Sequence, residues 1–372
     1  MVLEVKENVP LAPLTTFNIG GPARYFVEVK SEKDAEEAIR FAREKKLPIF
    51  VLAGGSNILV SDDGFPGLVI RNKIKKFSAQ GARLPDGQGP AFGWEIRGGT
   101  EAMVRVGSGE NWDETVARCI KENLQGIECL SGIPGSVGAA PVQNIGAYGQ
   151  NFSDVAIEVR AVNLTNGELE VFDKARCEFE YRKSIFNTKA IGRYFITEIV
   201  MKLKAHGAPT LLYHDLKNYF LGKNPTLAEV RQAVIEIRAK KGMVILPGYA
   251  GFKSVGSFFK NPIVSPDIFN QLQSRLPMIG WCPDPWFWSE ADGRVKISAA
   301  RLIEQAGFKK GFRQGLVGIS PAHTLALVNF DGAKAGDLVA LAKEIQDRIR
   351  EKFGIKIEVE AQLIGFAQNP LL

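Results

Sequence analysis

The stretch that most constrains this chain is "SGIPGSVGAAPVQNIGAYG", residues 131–149. Glycine and alanine recur through it and no residue in it is charged. An exposed linker would carry more charge, and a regular helix or strand would be weakened by so many glycines. Backbone packed closely on a large flat ligand fits the pattern better. A second loop, "AGGSN" at 53–57, follows an apolar strand-like run. Its glycines let backbone N–H groups approach a phosphate, and Ser56 and Asn57 add donors. Alone, "AGGSN" reads as a tight turn. Together, the two loops could cradle a pyrophosphate. Neither matches G-x-G-x-x-G or a Walker sequence, so the standard dinucleotide and P-loop readings fail.

The bulk numbers set the outer limits. A chain of 372 residues exceeds one usual core, so two or three domains are expected. With 45% apolar and 24% charged residues, it has the composition of a folded soluble protein. No run of about 18 apolar residues suggests a membrane span. The start "MVLEVKENVP" has no basic region followed by an apolar core, so no signal peptide is expected. Cys119, Cys129, Cys177 and Cys282 form no C-x-x-C pair or zinc pattern, which suits reduced thiols in a cytoplasm. The sequons at Asn151 and Asn163 are then chance matches. The only histidines are His206, His214 and His323, so no histidine-rich metal site is expected. A net charge of +6, without a basic run, argues against nucleic acid and is compatible with an anionic small substrate.

Local patterns give an α+β order. "RYFVEV" alternates up to Val29. Ser31 caps a helix with Asp34 as capping-box partner, and Ala35, Ala38, Ile39 and Ala42 form its apolar face. "PIFVLAGGSNILV" follows as a buried strand with its glycine turn, making a βαβ unit that closes near Arg71. Residues 76–103 read as an exposed loop or hairpin insertion. "MVRVGSGENW" restarts a strand, and Asn111 with Glu114 opens a second helix to about Glu122. "AIEVRAVNLTNGELEVFD" is a hairpin turning at Asn166 and Gly167.

From about residue 208 the pattern changes. Thr226 with Glu229 caps a helix faced by Leu227, Val230, Val234 and Ile237. "SPDIFNQLQSRL" is a helix with Pro266 at its first position. "GDLVALAKEIQDRIREKFG" is a long amphipathic helix, and "IKIEVEAQLIG" is a closing strand. The expected fold class is α+β: two adjacent α/β layers, then a C-terminal α+β domain.

Six motifs in order carry a resemblance. "NIGGPARYF", "AGGSNILV", "SGIPGSVGAAPVQNIGAYG", "YRKSIF", "GSFFKNP" and "IEVEAQLIG" resemble the UDP-N-acetylenolpyruvoylglucosamine reductases, also called UDP-N-acetylmuramate dehydrogenases. The resemblance runs from about Leu11 to Gly365. It implies non-covalent FAD held by segments 1–73 and 74–207, in the vanillyl-alcohol oxidase type of fold. It implies a substrate domain at 208–372, whose last strand returns to the active site. It further implies NADPH as co-substrate and a monomeric cytoplasmic enzyme of bacterial peptidoglycan synthesis. The implied cofactor contacts are Gly54, Gly55, Ser56 and Asn57 in the first loop. In the second they are Ile133, Pro134, Gly135, Ser136, Gly138, Asn144, Gly146, Ala147 and Tyr148.

The implied reaction adds hydride to a vinyl carbon and leaves charge on its neighbour, spread onto a carboxylate. Such a site must stabilise an enolate-like dianion and deliver a proton. By the resemblance, Arg182 in "EYRKSIF" meets the carboxylate, a task suited to a planar guanidinium. Glu360 matches the family's catalytic glutamate; a raised pKa, or tight pairing with Arg182, is expected of a carboxyl there. Glu358 competes with it, because alternation puts both on one strand face. Ser257 matches the proton donor, a weak acid that serves because an enolate carbon is strongly basic. Asn261, Tyr213 and Lys241 match substrate contacts, the last two to the diphosphate, with Lys240 the competing lysine. His323 resembles a position near the substrate, and a structural histidine fits as well.

Two departures stand out. Trp281, Trp286 and Trp288 occupy a segment where many family members carry a tyrosine-bearing loop, and the insertion at 76–103 is long. Two other functions share much of the pattern: an oxygen-using flavin oxidase, and a non-catalytic UDP-sugar binder. The absence of His and Cys between Leu130 and Asn151 weakens a covalent-flavin oxidase. Mere binding gives no reason for the trio Arg182, Ser257 and Glu360.

Overall fold

The computed structural model describes residues 3–80, 101–245, 253–275 and 286–371. The tip of the expected insertion (81–100), Trp281 and Cys282 lie outside the described residues. The described chain divides into two compact units. The first gathers residues 3–9, 23–55, 65–80 and 101–245; the second gathers 10–22, 56–64, 253–275 and 286–371.

The first unit is built on two larger sheets. In the smaller, Pro22–Val29 and Ile49–Leu52 both run parallel to Phe65–Asn72, which lies between them. Leu68, Val69 and Ile70 of that middle strand are all buried, as a strand covered on both faces requires. The helix Glu32–Glu44 supplies one cover through Ala35, Ala38, Ile39 and Ala42. Its cap is as expected at Ser31, whose hydroxyl accepts from Asp34 N–H. The Asp34 carboxylate instead accepts from Lys30 N–H. The larger sheet is antiparallel and centred on the twelve-residue strand Tyr194–Ala205, flanked by Ala156–Asn163 and Glu101–Gly107. The hairpin at Asn166 and Gly167 is present, with Gly167 at φ 83°.

The helices His214–Tyr219 and Leu227–Lys240 also belong to the first unit. On sequence alone they group with the C-terminal segment, which starts at about residue 208. Leu216, Phe220, Val230, Ala233 and Val234 bury themselves with Cys129, which draws both helices onto the glycine-rich region.

In the second unit the helix Ala335–Phe353 buries Leu338, Leu341, Ala342, Ile345, Ile349 and Phe353 in one core. Phe17, Phe258, Phe259 and Ile297 share that core. The expected single strand "PIFVLAGGSNILV" is broken at its glycines. Ile49–Leu52 stays in the first unit, while Ile58–Val60 pairs in parallel with Gln362–Ile364 in the second. The closing strand is likewise shorter than "IKIEVEAQLIG": only Gln362–Ile364 forms a ladder, preceded by an isolated bridge from Val359 to Phe259. Close backbone packing fixes this register. A Cβ on Gly365 would overlap the carbonyl of Gly64, and a Cβ on Gly64 that of Pro22. Both glycines sit at positive φ, 80° and 78°, which favours glycine on conformational grounds as well.

Candidate active site

The two glycine loops meet within the first unit. A Cβ on Gly54 would overlap the Cα of Gly135, so the backbones themselves are in contact. The second loop is fixed by its own backbone. Gly135 C=O accepts from Trp112 N–H at 3.0 Å, and Val137 and Gly138 N–H donate to Glu110 and Ser108 C=O at 2.9 and 2.8 Å. Between these anchors Ser136 is 8% exposed. Its hydroxyl oxygen is buried without a hydrogen-bond partner among the described residues. A buried hydroxyl left unsatisfied costs about 1–3 kcal/mol. A close backbone cradle with an orphaned hydroxyl inside it is what a bound polar cofactor such as FAD would complete.

The other expected cofactor residues divide by role. Gly146 and Ala147 form a short hairpin with Gln150 and Asn151, and Ile133 and Pro134 are half-buried. The Asn144 amide is spent on the scaffold, accepting from Ser153 N–H and donating to Glu180 C=O. Gly55 ends the first unit's share of "AGGSN", and Ser56 and Asn57 belong to the second unit. There Asn57 Nδ2 donates to Glu360 C=O at 3.1 Å, and Asn57 C=O accepts from Gln362 N–H.

Arg182 sits at the second position of a tight turn closed by reciprocal hydrogen bonds between Glu180 and Lys183. Its φ is 58°, an uncommon conformation for a residue with a side chain. Its Nη2 donates to Gly146 C=O at 2.8 Å, and its guanidinium lies 5.2 Å from the centre of the Tyr181 ring. The arginine expected to meet the substrate carboxylate is thus mounted directly on a glycine of the second loop.

Three residues expected to contact cofactor or substrate cluster in the same unit. The Tyr148 and Tyr213 rings meet edge to face at 5.4 Å, and Lys241 Nζ lies 5.7 Å from the Tyr148 ring centre. Lys241 also pairs with Asp215 at 3.0 Å, whereas Lys240 is exposed. Burial pushes the Tyr148 phenol well above its ordinary range.

The remaining members lie in the second unit, on neighbouring strands and turns. Phe258 N–H donates to Leu325 C=O, and Phe258 C=O accepts from Glu360 N–H, both at 2.8 Å. Leu325 N–H in turn donates to His323 Nδ1 at 3.2 Å. In that bond His323 Nδ1 is the acceptor. The segments that carry Ser257, Glu360 and His323 are therefore brought together by backbone pairing. The Ser257 hydroxyl makes no hydrogen bond among the described residues. It follows Gly256, at φ 76°, beside which a Cβ would meet nothing within 4 Å. Glu358 is exposed and paired with Lys260 Nζ at 3.3 Å, while Glu360 is half-buried. Asn261 Oδ1 accepts from Ala299 N–H at the start of the helix Ala299–Gln305. Trp286 packs against Phe269, and Lys296 Nζ lies over Trp288, so these tryptophans are tied into this unit.

One cluster escaped the sequence reading. Asp113 is buried and makes a two-bond pair with Arg231, at 2.6 and 2.7 Å. Its Oδ1 also accepts from Gly132 N–H at 2.5 Å. Arg238 Nε donates to Gly132 C=O at 3.2 Å. Burial alone would raise the Asp113 carboxyl, but the Arg231 guanidinium and the Gly132 N–H hold it below the usual range. Burial in turn lowers Arg238. The readable signal was a carboxylate on an apolar stripe, since Asp113, Val116 and Ile120 share one helix face.

The sheets, the paired glycine loops and the orphaned hydroxyl define an FAD-binding oxidoreductase of α+β class. Residues 23–173 match the family model for an FAD binding domain, and residues 248–364 match that for the UDP-N-acetylenolpyruvoylglucosamine reductase C-terminal domain. The chain is 41% identical to the UDP-N-acetylenolpyruvoylglucosamine reductase of Thermobifida fusca, over 98% of this chain and 99% of that one. It is 36% identical to the enzyme of the same name from Streptomyces coelicolor, over 97% and 90%. The crystal structure of UDP-N-acetylenolpyruvylglucosamine reductase from Thermus caldophilus is similar with a TM-score of 0.60, at 26% identity, covering 97% of this chain and 98% of that one. The chain belongs to the UDP-N-acetylenolpyruvoylglucosamine reductase family.

Proposed function

We propose that this chain reduces UDP-N-acetylenolpyruvoylglucosamine to UDP-N-acetylmuramate for bacterial peptidoglycan synthesis, with NADPH as reductant, as a monomer in the cytoplasm. The observation that carries the reading is the backbone pairing of Phe258 with Glu360, which sets Ser257, whose hydroxyl has no hydrogen-bond partner among the described residues, beside the segment that bears Glu360. Among the described residues no helix is long and apolar enough to cross a membrane. FAD, which the loops around Gly54, Gly135 and Ser136 would hold, would supply the hydride-transfer chemistry between NADPH and the enolpyruvyl group.

The chain's own residues do the rest. Arg182, anchored on Gly146, meets the substrate carboxylate as charge gathers there. The Ser257 hydroxyl gives its proton to the carbon that hydride addition has made basic. Glu360, half-buried just before the strand Gln362–Ile364, assists that proton delivery. Tyr213 and Lys241 bind the diphosphate, and Asn261 and His323 are further substrate contacts.

Anaerobic half-reactions test this. Replacing Ser257→Ala should leave flavin reduction by NADPH nearly intact and slow reoxidation by the enolpyruvyl sugar by about 10²–10⁴-fold. Equal loss in both halves would remove serine as the proton donor. A purified protein that releases no flavin on denaturation would remove the redox reading altogether.

A further inference from the structure

We infer that Asp113 is a positioning residue for the flavin loop, acting through Arg231 and Gly132. The inference rests on the reading that residues 132–136 hold FAD. Both backbone polar groups of Gly132 are gripped by charged side chains: its N–H by Asp113 and its C=O by Arg238. Gly132 has φ 70°, and a Cβ there would come within 3.4 Å of Arg238 Nε. Downstream, Gly135 C=O and Val137 N–H are tied to the backbone around the same helix start, at Trp112 and Glu110. The segment Ile133–Pro134 is therefore suspended between two clamps, with the orphaned Ser136 hydroxyl at the edge of the second.

Asp113 is the keystone of the first clamp. Its carboxylate satisfies Arg231 with two bonds and Gly132 with one. Arg231 and Arg238 both rise from the helix Leu227–Lys240, whose C-cap is Lys241. Arg238 also donates to Met243 C=O beyond that helix end. One helix thus mounts the flavin loop through two arginines and ends in the proposed diphosphate ligand. An amide at position 113 could still accept from Gly132, but it would leave a largely buried guanidinium without its counter-charge. The loop would lose its register before the fold lost its core.

The test measures FAD binding to the full chain after flavin removal, by fluorescence titration, beside thermal melting of the flavin-free protein. Asp113→Asn should raise the FAD dissociation constant about tenfold or more, with the flavin-free protein still folded and melting cooperatively above the titration temperature. Arg231→Lys, which keeps the charge but loses the fork, should act in the same direction and carries the test if Asp113→Asn does not fold. Pairing Asp113→Asn with Arg231→Gln, which restores a neutral amide pair, should recover part of the affinity. Unchanged FAD affinity in both single variants overturns the inference. So does a loss of flavin-free melting temperature large enough to account for the affinity change. Ser136→Ala separates this from the parent reading. If Ser136→Ala binds FAD as tightly as the wild type, the loop assignment itself fails. If it binds more weakly while Asp113→Asn does not, only the positioning role fails.

Discussion

At the scale of single residues, pairing separated candidates that spacing could not. Alternation puts Glu358 and Glu360 on the same face, so spacing leaves both open and only the motif match favours Glu360. In the structure Glu358 points to solvent and to Lys260, and an exposed pair of this kind contributes little. Glu358→Gln should therefore leave turnover within about twofold. Glu360→Gln should lower kcat by about 10²-fold or more in the substrate half-reaction, as loss of an acid–base partner does. Single-turnover reoxidation measures both. The lysines divide in the same way: Lys241 lies by Tyr148 and Asp215, and Lys240 lies in solvent. Asn261 shows the reverse case. Its motif pointed to a ligand, and half of its amide proves committed to capping a helix.

At the scale of elements, the caps were the most legible feature. Ser31, Asn111 and Thr226 each accept the N–H three residues on, as a short polar side chain before an apolar stripe suggests. The strand through "AGGSN" was not legible. Its two halves are equally apolar, and only pairing with Gln362–Ile364 pulls the second half away. The chain beyond that strand is also tied down. Gln346 Nε2, from the helix Ala335–Phe353, donates to Ile357 C=O at 2.9 Å and Leu371 C=O at 3.4 Å, and Leu371 is buried. Gln346→Leu would strand these buried carbonyls and should cost about 1–3 kcal/mol in urea unfolding. An unchanged midpoint would mean that the tail does not brace the segment leading to Glu360.

At the scale of the whole molecule, burial sets how the chain meets reagents and acid. Burial pushes the Cys119 and Cys177 thiols up to about 12, and raises Cys129 as well. Thiolate is the reactive form. At pH 8 an alkylating reagent should therefore leave all three unmodified until denaturant is added, as read by peptide mass spectrometry. Acid acts through Asp113. Its folded carboxyl is depressed below the ordinary 3.8, so its stabilising contribution is complete above that value and is lost as pH falls through the depressed one. Asp113→Asn should flatten this acid limb in tryptophan-fluorescence unfolding, while the wild type keeps it.

What the sequence determined by itself was local and chemical. Apolar periodicity set the helices, glycine marked the two loops, and six ordered motifs marked the family. These signals need only neighbours along the chain. Tertiary structure alone decided which partner each ambiguous group met. It placed Glu360 rather than Glu358 in the half-buried position, drew the helix Leu227–Lys240 onto the glycine-rich region, and set Asp113 under Gly132. Each of these depends on backbone and charge pairing between segments tens to hundreds of residues apart. Such pairing is settled by burial and hydrogen-bond satisfaction, and neither leaves a periodic trace in the sequence.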